Sequence, residues 1–445
     1  MRTTTVSASA AFVQSAATKL LIIGINAATG ILTARALAPV GRGELAAMIL
    51  SYSFLSSALT LGLPSALTYK LRSKPEEASN LMGTGLLLCA LISSLSAFAG
   101  FFLLPHWIPQ YSPTVLLYGR IFLLNTPIAL FFLVGRAAIE SRGKFSASNL
   151  SLVGPPAATL AGLVPLKLLG LLTPVTAAWC YVLPGIPVFL WMFVQVYRTF
   201  TPRLHAVVQS AHSLLSYGMR SYGIDLCGTM SLYVDQALVV RLLAPDLMGI
   251  YVVALSLSRL LNAFHTSVVM VLFPKAVSRP PLEIVAMTGR AVRITTALTS
   301  ACGLCIIVAG PSLLTLLYGA EYRGAANILR VLVVEVILTG ATQVMSQAFM
   351  ALGRPGVITT LQAIGLSLTI PLMLLMIPRL GIMGAAIALL ISTCARFTFV
   401  LVSFPLLLKL PVPDILVRRK DVADVRQEVN RWLAIRRTAE ATTQI

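Results

Sequence analysis

Long apolar runs follow one another along the chain, broken by short polar stretches. The runs fall near 12–36, 44–69, 79–104, 113–138, 147–170, 174–196, 216–242, 249–273, 290–317, 324–350, 357–378 and 382–408. Each is close to the ~20 residues that a helix needs to cross a hydrocarbon core. The pattern therefore predicts an all-α polytopic membrane protein of about twelve transmembrane helices. The start of the chain does not read as a cleaved leader. Only Arg2 precedes Lys19, and no small-residue cleavage site follows a compact apolar core.

The polar breaks repeat. Arg35-Ala-Leu-Ala-Pro-Val-Gly-Arg-Gly43 returns 206 positions later as Arg241-Leu-Leu-Ala-Pro-Asp-Leu-Met-Gly249. Arg120 and Asn125 align with Arg330 and Glu335 at an offset of 210, and Gly143 with Gly353. Leu169-Gly170-Leu171 aligns with Leu380-Gly381-Ile382 at 211. Six helices per repeat, an even number, give both halves the same orientation, so the expected pseudo-twofold axis runs along the membrane normal. The expected organisation is an N-terminal lobe over 1–196, a cytoplasmic linker over 197–213, a C-terminal lobe over 214–408 and a basic tail over 409–445.

Composition adds topology. Only 11% of the residues are charged and mean hydropathy is +0.87, yet the net charge is +19. With the N-terminus inside, one set of loops holds Lys70, Arg72, Lys74, Arg136, Arg142, Lys144, Arg198, Arg203, Lys275, Arg279 and Arg354, and the tail adds eight more cations. The opposite loops hold scattered Arg35, Arg42, Lys167, Arg241, Arg323 and Arg379. This bias predicts both termini inside, and makes the charge a topology signal instead of a nucleic-acid footprint. Ile415, Val422, Val425, Val429 and Trp432 recur at helical spacing against a basic face, which suits equally a tail helix on an anionic leaflet and a solvated helix with no specific role. The loop from Leu104 to Pro113 is aromatic and expected at the interface. The cysteines, including the Cys302/Cys305 pair, fall in apolar spans and suit helix packing better than metal or redox chemistry. No phosphate loop of the Gly-x-x-x-x-Gly-Lys-Ser/Thr type occurs, and the four histidines do not cluster. No catalytic residues, metal site or cofactor are expected.

Ionisable residues within the spans are the best functional pointers, because a charge at mid-bilayer costs at least ~2.5–3.5 kcal/mol. Lys19 aligns with Asp225 by the repeat offset, so the two are expected to flank one cavity between the lobes. Arg259 lies mid-span, either facing a wet cavity or pairing with Asp235. Glu335 reads equally as a coupling-ion site or as the partner of Arg330. Arg220 lies near the inner boundary; Asn26, Arg120, Arg330 and Arg396 are weaker candidates. Arg35 and Arg241 stand where a cation complements a helix C-terminus.

The hairpin Thr33-Ala-Arg-Ala-Leu-Ala-Pro-Val-Gly-Arg-Gly-Glu-Leu-Ala46 resembles the first-helix signature of the O-antigen and polysaccharide flippases. Val234 to Ala254 resembles the same family's seventh and eighth helices, and Leu272-Phe-Pro-Lys275 and Ala351-Leu-Gly-Arg354 also match. The family belongs to the multidrug/oligosaccharidyl-lipid/polysaccharide (MOP) superfamily, which includes drug exporters and the lipid II flippase. The resemblance implies a MATE-like, V-shaped pair of six-helix lobes working by alternating access. It implies an undecaprenyl-diphosphate-linked oligosaccharide as cargo, moved across a bacterial inner membrane for surface polysaccharide synthesis. Lys19, Arg220 and Arg259 would then attract the diphosphate, and Asp225, Asp235 and Glu335 would carry H⁺ or Na⁺. Partners would be the lipid-linked sugar, membrane lipids, and a polysaccharide polymerase with its chain-length machinery. Twelve spans instead of fourteen argue against the lipid II flippase. A multidrug/cation antiporter would need a more acidic cavity, and a polymerase or ligase would need larger outer loops.

Overall fold

The computed structural model describes residues 8–276 and 279–415. The tail from residue 416 onward, with most of its expected amphipathic helix, lies outside the described residues. The elements are helices α1 (Ala8–Ala58), α2 (Leu63–Ser73), α3 (Ala78–Trp107), α4 (Pro113–Phe122), α5 (Thr126–Ser141), α6 (Phe145–Leu168), α7 (Pro174–Val182) and α8 (Gly185–Phe200). The second half holds α9 (Val207–Leu242), α10 (Pro245–Arg259), α11 (Asn262–Ala276), α12 (Pro281–Tyr318), α13 (Ala326–Ala351), α14 (Gly356–Leu380) and α15 (Ile382–Ser403).

Nine helices among the described residues are long and apolar enough to cross a membrane, or ten if the bent pair α10–α11 counts as one span. The expected dozen is reached only if α1 is divided at its kink and α9, which carries Arg220, Asp225 and Asp235, is counted. The chain is a multi-pass membrane protein. The two copies of the repeated phrase turn differently. In the first the expected hairpin loop shrinks to one residue, Ala38 (φ 55°, ψ 176°), ahead of Pro39. In the second, Leu243 and Ala244 are extended and Pro245 opens α10.

The second membrane path of each half is broken. In the first half, left-handed Leu61 and Gly62, followed by Pro64, separate α1 from α2. In the second half, α10 and α11 bend by 43° at Leu260–Leu261, where hydrogen bonds tighten to the i→i−3 pattern.

Three hydrophobic cores set the architecture. Leu67, Met82, Phe131, Met192 and Phe200 fill one within the first half, at the end that carries the basic loops, called the lower end. Leu272, Val292, Phe349, Leu361 and Phe404 fill another at the lower end of the second half. The third, at the upper end, draws on both halves, from Leu45, Met48 and Phe122 to Tyr251, Leu329 and Ile377. The halves are thus fused above and have separate cores below, a V.

Glycine lets the fused end close. Gly43 of α1 lies against the Pro245 carbonyl, and Gly249 of α10 lies against the Pro39 carbonyl; a methyl on either would overlap the other's backbone. These are the repeat-related residues meeting their own counterparts, as a pseudo-twofold axis requires. The loop read as interfacial is instead built into this closure. Leu104, Ile108 and Tyr111 are buried, the Trp107 indole donates to the Ala237 carbonyl (3.0 Å), and Gln110 Nε2 donates to the Val240 and Leu243 carbonyls (2.8 and 2.7 Å). The Val240 and Leu243 carbonyls lie at the end of α9 and need partners once water is excluded. Below, α9 changes sides: Leu214 joins the first half's core, and Tyr217 stacks on Tyr69 at 4.5 Å. The expected linker at 197–213 contracts to the connection 201–206, because α8 and α9 extend further than the apolar pattern suggests.

Candidate functional site

The second half contains a cavity of about 540 Å³ between α9, α10–α11, α13, α14 and α15. Four of the ionisable residues singled out from the sequence line it: Asp235, Arg259, Glu335 and Arg396. They form two acid–base pairs.

In the first pair, Arg259 projects from the last turn of α10, directly before the bend. Its Nη2 donates to Asp235 Oδ2 at 3.2 Å, and the buried Tyr251 hydroxyl donates to the same oxygen at 3.0 Å. Asp235 is nearly sealed, with its side chain 2% exposed, whereas that of Arg259 is 33% exposed. The two readings offered for Arg259 therefore coexist: it is paired, and it lines the cavity. Burying Asp235 Oδ1 without a hydrogen-bond partner among the described residues is costly. The guanidinium opposite offsets that cost and is in turn oriented by it.

In the second pair, Glu335 Oε1 accepts hydrogen bonds from Thr339 (2.6 Å) and Thr393 (2.8 Å). Arg396 Nη2 donates to Thr393 Oγ1 at 2.7 Å and stands 3.9 Å from Glu335 Oε1. The threonine hydroxyl thus connects the two charges. Gly365 of α14 makes room for the arginine, since a Cβ there would press into the Arg396 side chain. Arg330, the alternative partner for Glu335, turns instead to Asn327 Oδ1 at 3.2 Å. Five residues along a helix is 500°, which places Arg330 away from the Glu335 face.

Of the three cations expected to converge, Lys19, Arg220 and Arg259, this cavity is lined by Arg259. Lys19 and Arg220 are exposed and do not line this cavity. Lys19 and Asn26 are exposed on one face of α1, with Arg136 and Glu140 as the charges acting on Lys19. Asp225 accepts from Ser65 Oγ at 2.8 Å, a link between the halves through α9 and α2. Arg120 lies over the Phe101 ring at 4.5 Å, beside an apolar crevice away from the cavity. Arg35 does not cap its own helix: it donates through Nε to Leu317 O (2.9 Å) and through Nη2 to Leu316 O, at the end of α12 in the other half.

Sequence reading missed Tyr251, Thr339, Thr393 and His265. The imidazole of His265 is fully buried and wedged against Gly340 of α13, beside cavity-lining Thr266. No spacing pattern links these residues; only the small residue at 340, one turn beyond Glu335, hints at a close approach. Arg42, read as a loop cation, is buried in the upper closure, where its charge acts on Tyr181, Tyr318 and Tyr322 from both halves.

The chain shares its fold with solved transporters described as members of the MOP superfamily. An inward-facing multidrug resistance MATE family transporter of that superfamily aligns with a TM-score of 0.70 at 16% identity, over 86% of this chain and 95% of that one. The lipid II flippase MurJ in an inward closed conformation aligns with a TM-score of 0.75 at 14% identity, over 91% and 89%. An outward-facing MATE transporter, also at 16% identity and over 90% and 96%, reaches only 0.59. The sequence has no match among curated proteins. The profile of the polysaccharide biosynthesis protein family matches residues 32–327, and the chain belongs to that family.

Proposed function

We propose that this protein is a flippase that carries a diphosphate-linked oligosaccharide lipid across a bacterial plasma membrane by alternating access. The observation that carries the proposal is the V itself: one shared core above, two separate cores below, and charged groups in the second half's cavity. The family supplies the polysaccharide context. The termini lie inside, by the loop-charge bias.

In this reading Lys19 and Arg220, exposed toward the lower end, attract the anionic headgroup by charge. Arg259, oriented by Asp235 and Tyr251, offers donors to a polar group entering the cavity. The Glu335–Thr393–Arg396 chain couples the cycle to H⁺ or Na⁺: neutralising Glu335 frees Arg396 from its counter-charge, and the network rearranges. A polymerase with its chain-length machinery would take up the product on the outer side.

The test is reconstitution of the purified protein in liposomes with a fluorescent diphosphate-linked oligosaccharide, scoring protection from an external quencher or glycosidase. Transfer between leaflets that depends on the protein supports the proposal. Polymerisation without transfer favours a membrane enzyme, and transport of lipophilic cations in place of the sugar lipid favours an antiporter.

A further inference from the structure

A second cavity, of about 520 Å³, opens at the upper end and lies on the seam between the halves. Its lining residues are Arg35 from α1, Pro311, Ser312, Thr315 and Leu316 from α12, and Arg323 from the connection to α13. Two cations from opposite halves face one space, and no carboxylate is among the lining residues. Arg35 is already oriented, because its Nε and Nη2 hold the Leu317 and Leu316 carbonyls, leaving Nη1 without a partner among the described residues. Arg323 is exposed and has no ion pair among the described residues. Leu316 is 68% exposed and stands within one turn of the end of α12, where a spanning helix leaves the hydrocarbon core and lipid headgroups begin. Planar guanidinium groups favour phosphate oxygens, and they do so more strongly beside apolar walls than in bulk water.

We propose that this cavity binds the phosphate of an anionic phospholipid, and that the bound lipid stabilises the arrangement in which the halves are closed at the upper end. Arg35 and Arg323 lie on different halves, so an outward-facing V would separate them and dismantle the site. By linkage, a ligand that binds only one arrangement shifts the population toward it. Which leaflet supplies the lipid depends on the topology proposed above; the site and its coupling do not.

The experiment uses the full-length protein in nanodiscs of phosphatidylcholine or of phosphatidylcholine with phosphatidylglycerol. Spin labels go on Leu169→Cys and Leu380→Cys, exposed at the upper end of opposite halves, with the native cysteines replaced. Phosphatidylglycerol is expected to raise the ratio of closed to open distances by about fivefold or more, the lower end of ordinary allosteric coupling. Arg323→Ala should abolish that rise without altering the ratio in phosphatidylcholine, and Arg323→Lys should keep part of it. Arg323→Ala should also retain one fewer phosphatidylglycerol molecule in native mass spectrometry, which reads the site even if one arrangement dominates every disc. Equal ratios in the two lipids together with unchanged lipid retention would overturn the proposal. So would a wild-type response in Arg323→Ala. If inorganic phosphate alone reproduces the shift in phosphatidylcholine discs, the ligand is a soluble anion and the lipid assignment falls.

Discussion

Asp235 gathers two donors on a single oxygen, the Tyr251 hydroxyl and the Arg259 guanidinium, in a nearly sealed position. Replacing it by Asn leaves Arg259 without its counter-charge. Because that arginine is a third exposed, the loss should stay near ~1–3 kcal/mol, the range for an unsatisfied or charged hydrogen bond, and not reach that of a fully buried pair. Thermal unfolding of Asp235→Asn, Arg259→Gln and the double variant should give a coupling energy of about 1 kcal/mol or more; strict additivity would mean that the pair contributes nothing. Glu335→Gln poses a different question, because an amide keeps an oxygen to accept from Thr339 and Thr393 while losing the charge that faces Arg396. If Glu335 carries the coupling ion, transport by this variant should lose its dependence on pH or on Na⁺ but keep a basal rate. A proteoliposome assay with imposed gradients decides, and an unchanged dependence moves coupling elsewhere. The charged members of this site were legible in the sequence, because a charge in an apolar run is conspicuous. Their partners were not. Tyr251, Thr339 and Thr393 are ordinary within a span, and the pairing of Glu335 with Arg396 joins residues 61 positions apart on different helices.

The helices are placed by glycines and by breaks more than by their apolar content. Gly340 lets α13 approach α11 so closely that its missing side chain is replaced by the His265 ring. Gly340→Ala should therefore cost about 1–3 kcal/mol through overpacking, read as a lower melting temperature in detergent. Adding His265→Ala should recover much of that loss, which a general helix effect would not allow. Gly43 and Gly249 belong to another class, since each meets a backbone carbonyl that cannot move aside. Gly43→Ala and Gly249→Ala should leave folding largely intact, because an outward-facing arrangement does not need this contact. Both should favour upper-open distances between labels at Leu169 and Leu380 and abolish transport. A wild-type distance distribution would show that the closure does not depend on the glycines. Most helices were legible from the apolar runs, and the repeat gave their pairing. The break before α2 carried a signal in Gly62-Leu63-Pro64, yet the apolar run continues across it and hides the interruption. The bend at Leu260–Leu261 has neither Gly nor Pro and arises from tertiary packing, so no local pattern announces it. The reach of α9 across the seam is likewise settled by contacts distant in sequence.

At the scale of the whole molecule, the seam is held by carbonyls of one half that are capped by side chains of the other. Arg35 takes the end of α12, Gln110 takes the end of α9, Trp107 adds a bond to Ala237 O further back in α9, and the Tyr322 hydroxyl donates to Ala34 O. Helix C-termini leave up to four carbonyls without partners, and in a low-dielectric setting these must be met by something. Opening the upper end replaces such contacts by water, so the exchange costs little once water can enter. The closure can then be specific without being irreversible, as a cycle between two arrangements requires. A rigid groove along the seam would need no such exchange, and the alternatives separate under a tether. With native cysteines replaced, Gln110→Cys and Leu243→Cys should be joined by a short bismaleimide, because the Gln110 side chain already reaches the Leu243 carbonyl at 2.7 Å. The tethered protein should still retain the sugar lipid from the lower side but should transfer none of it, whereas a cleavable linker should restore transfer on reduction. Undiminished transfer by the tethered protein would mean that cargo passes with the upper end shut, and alternating access would have to be abandoned for this chain.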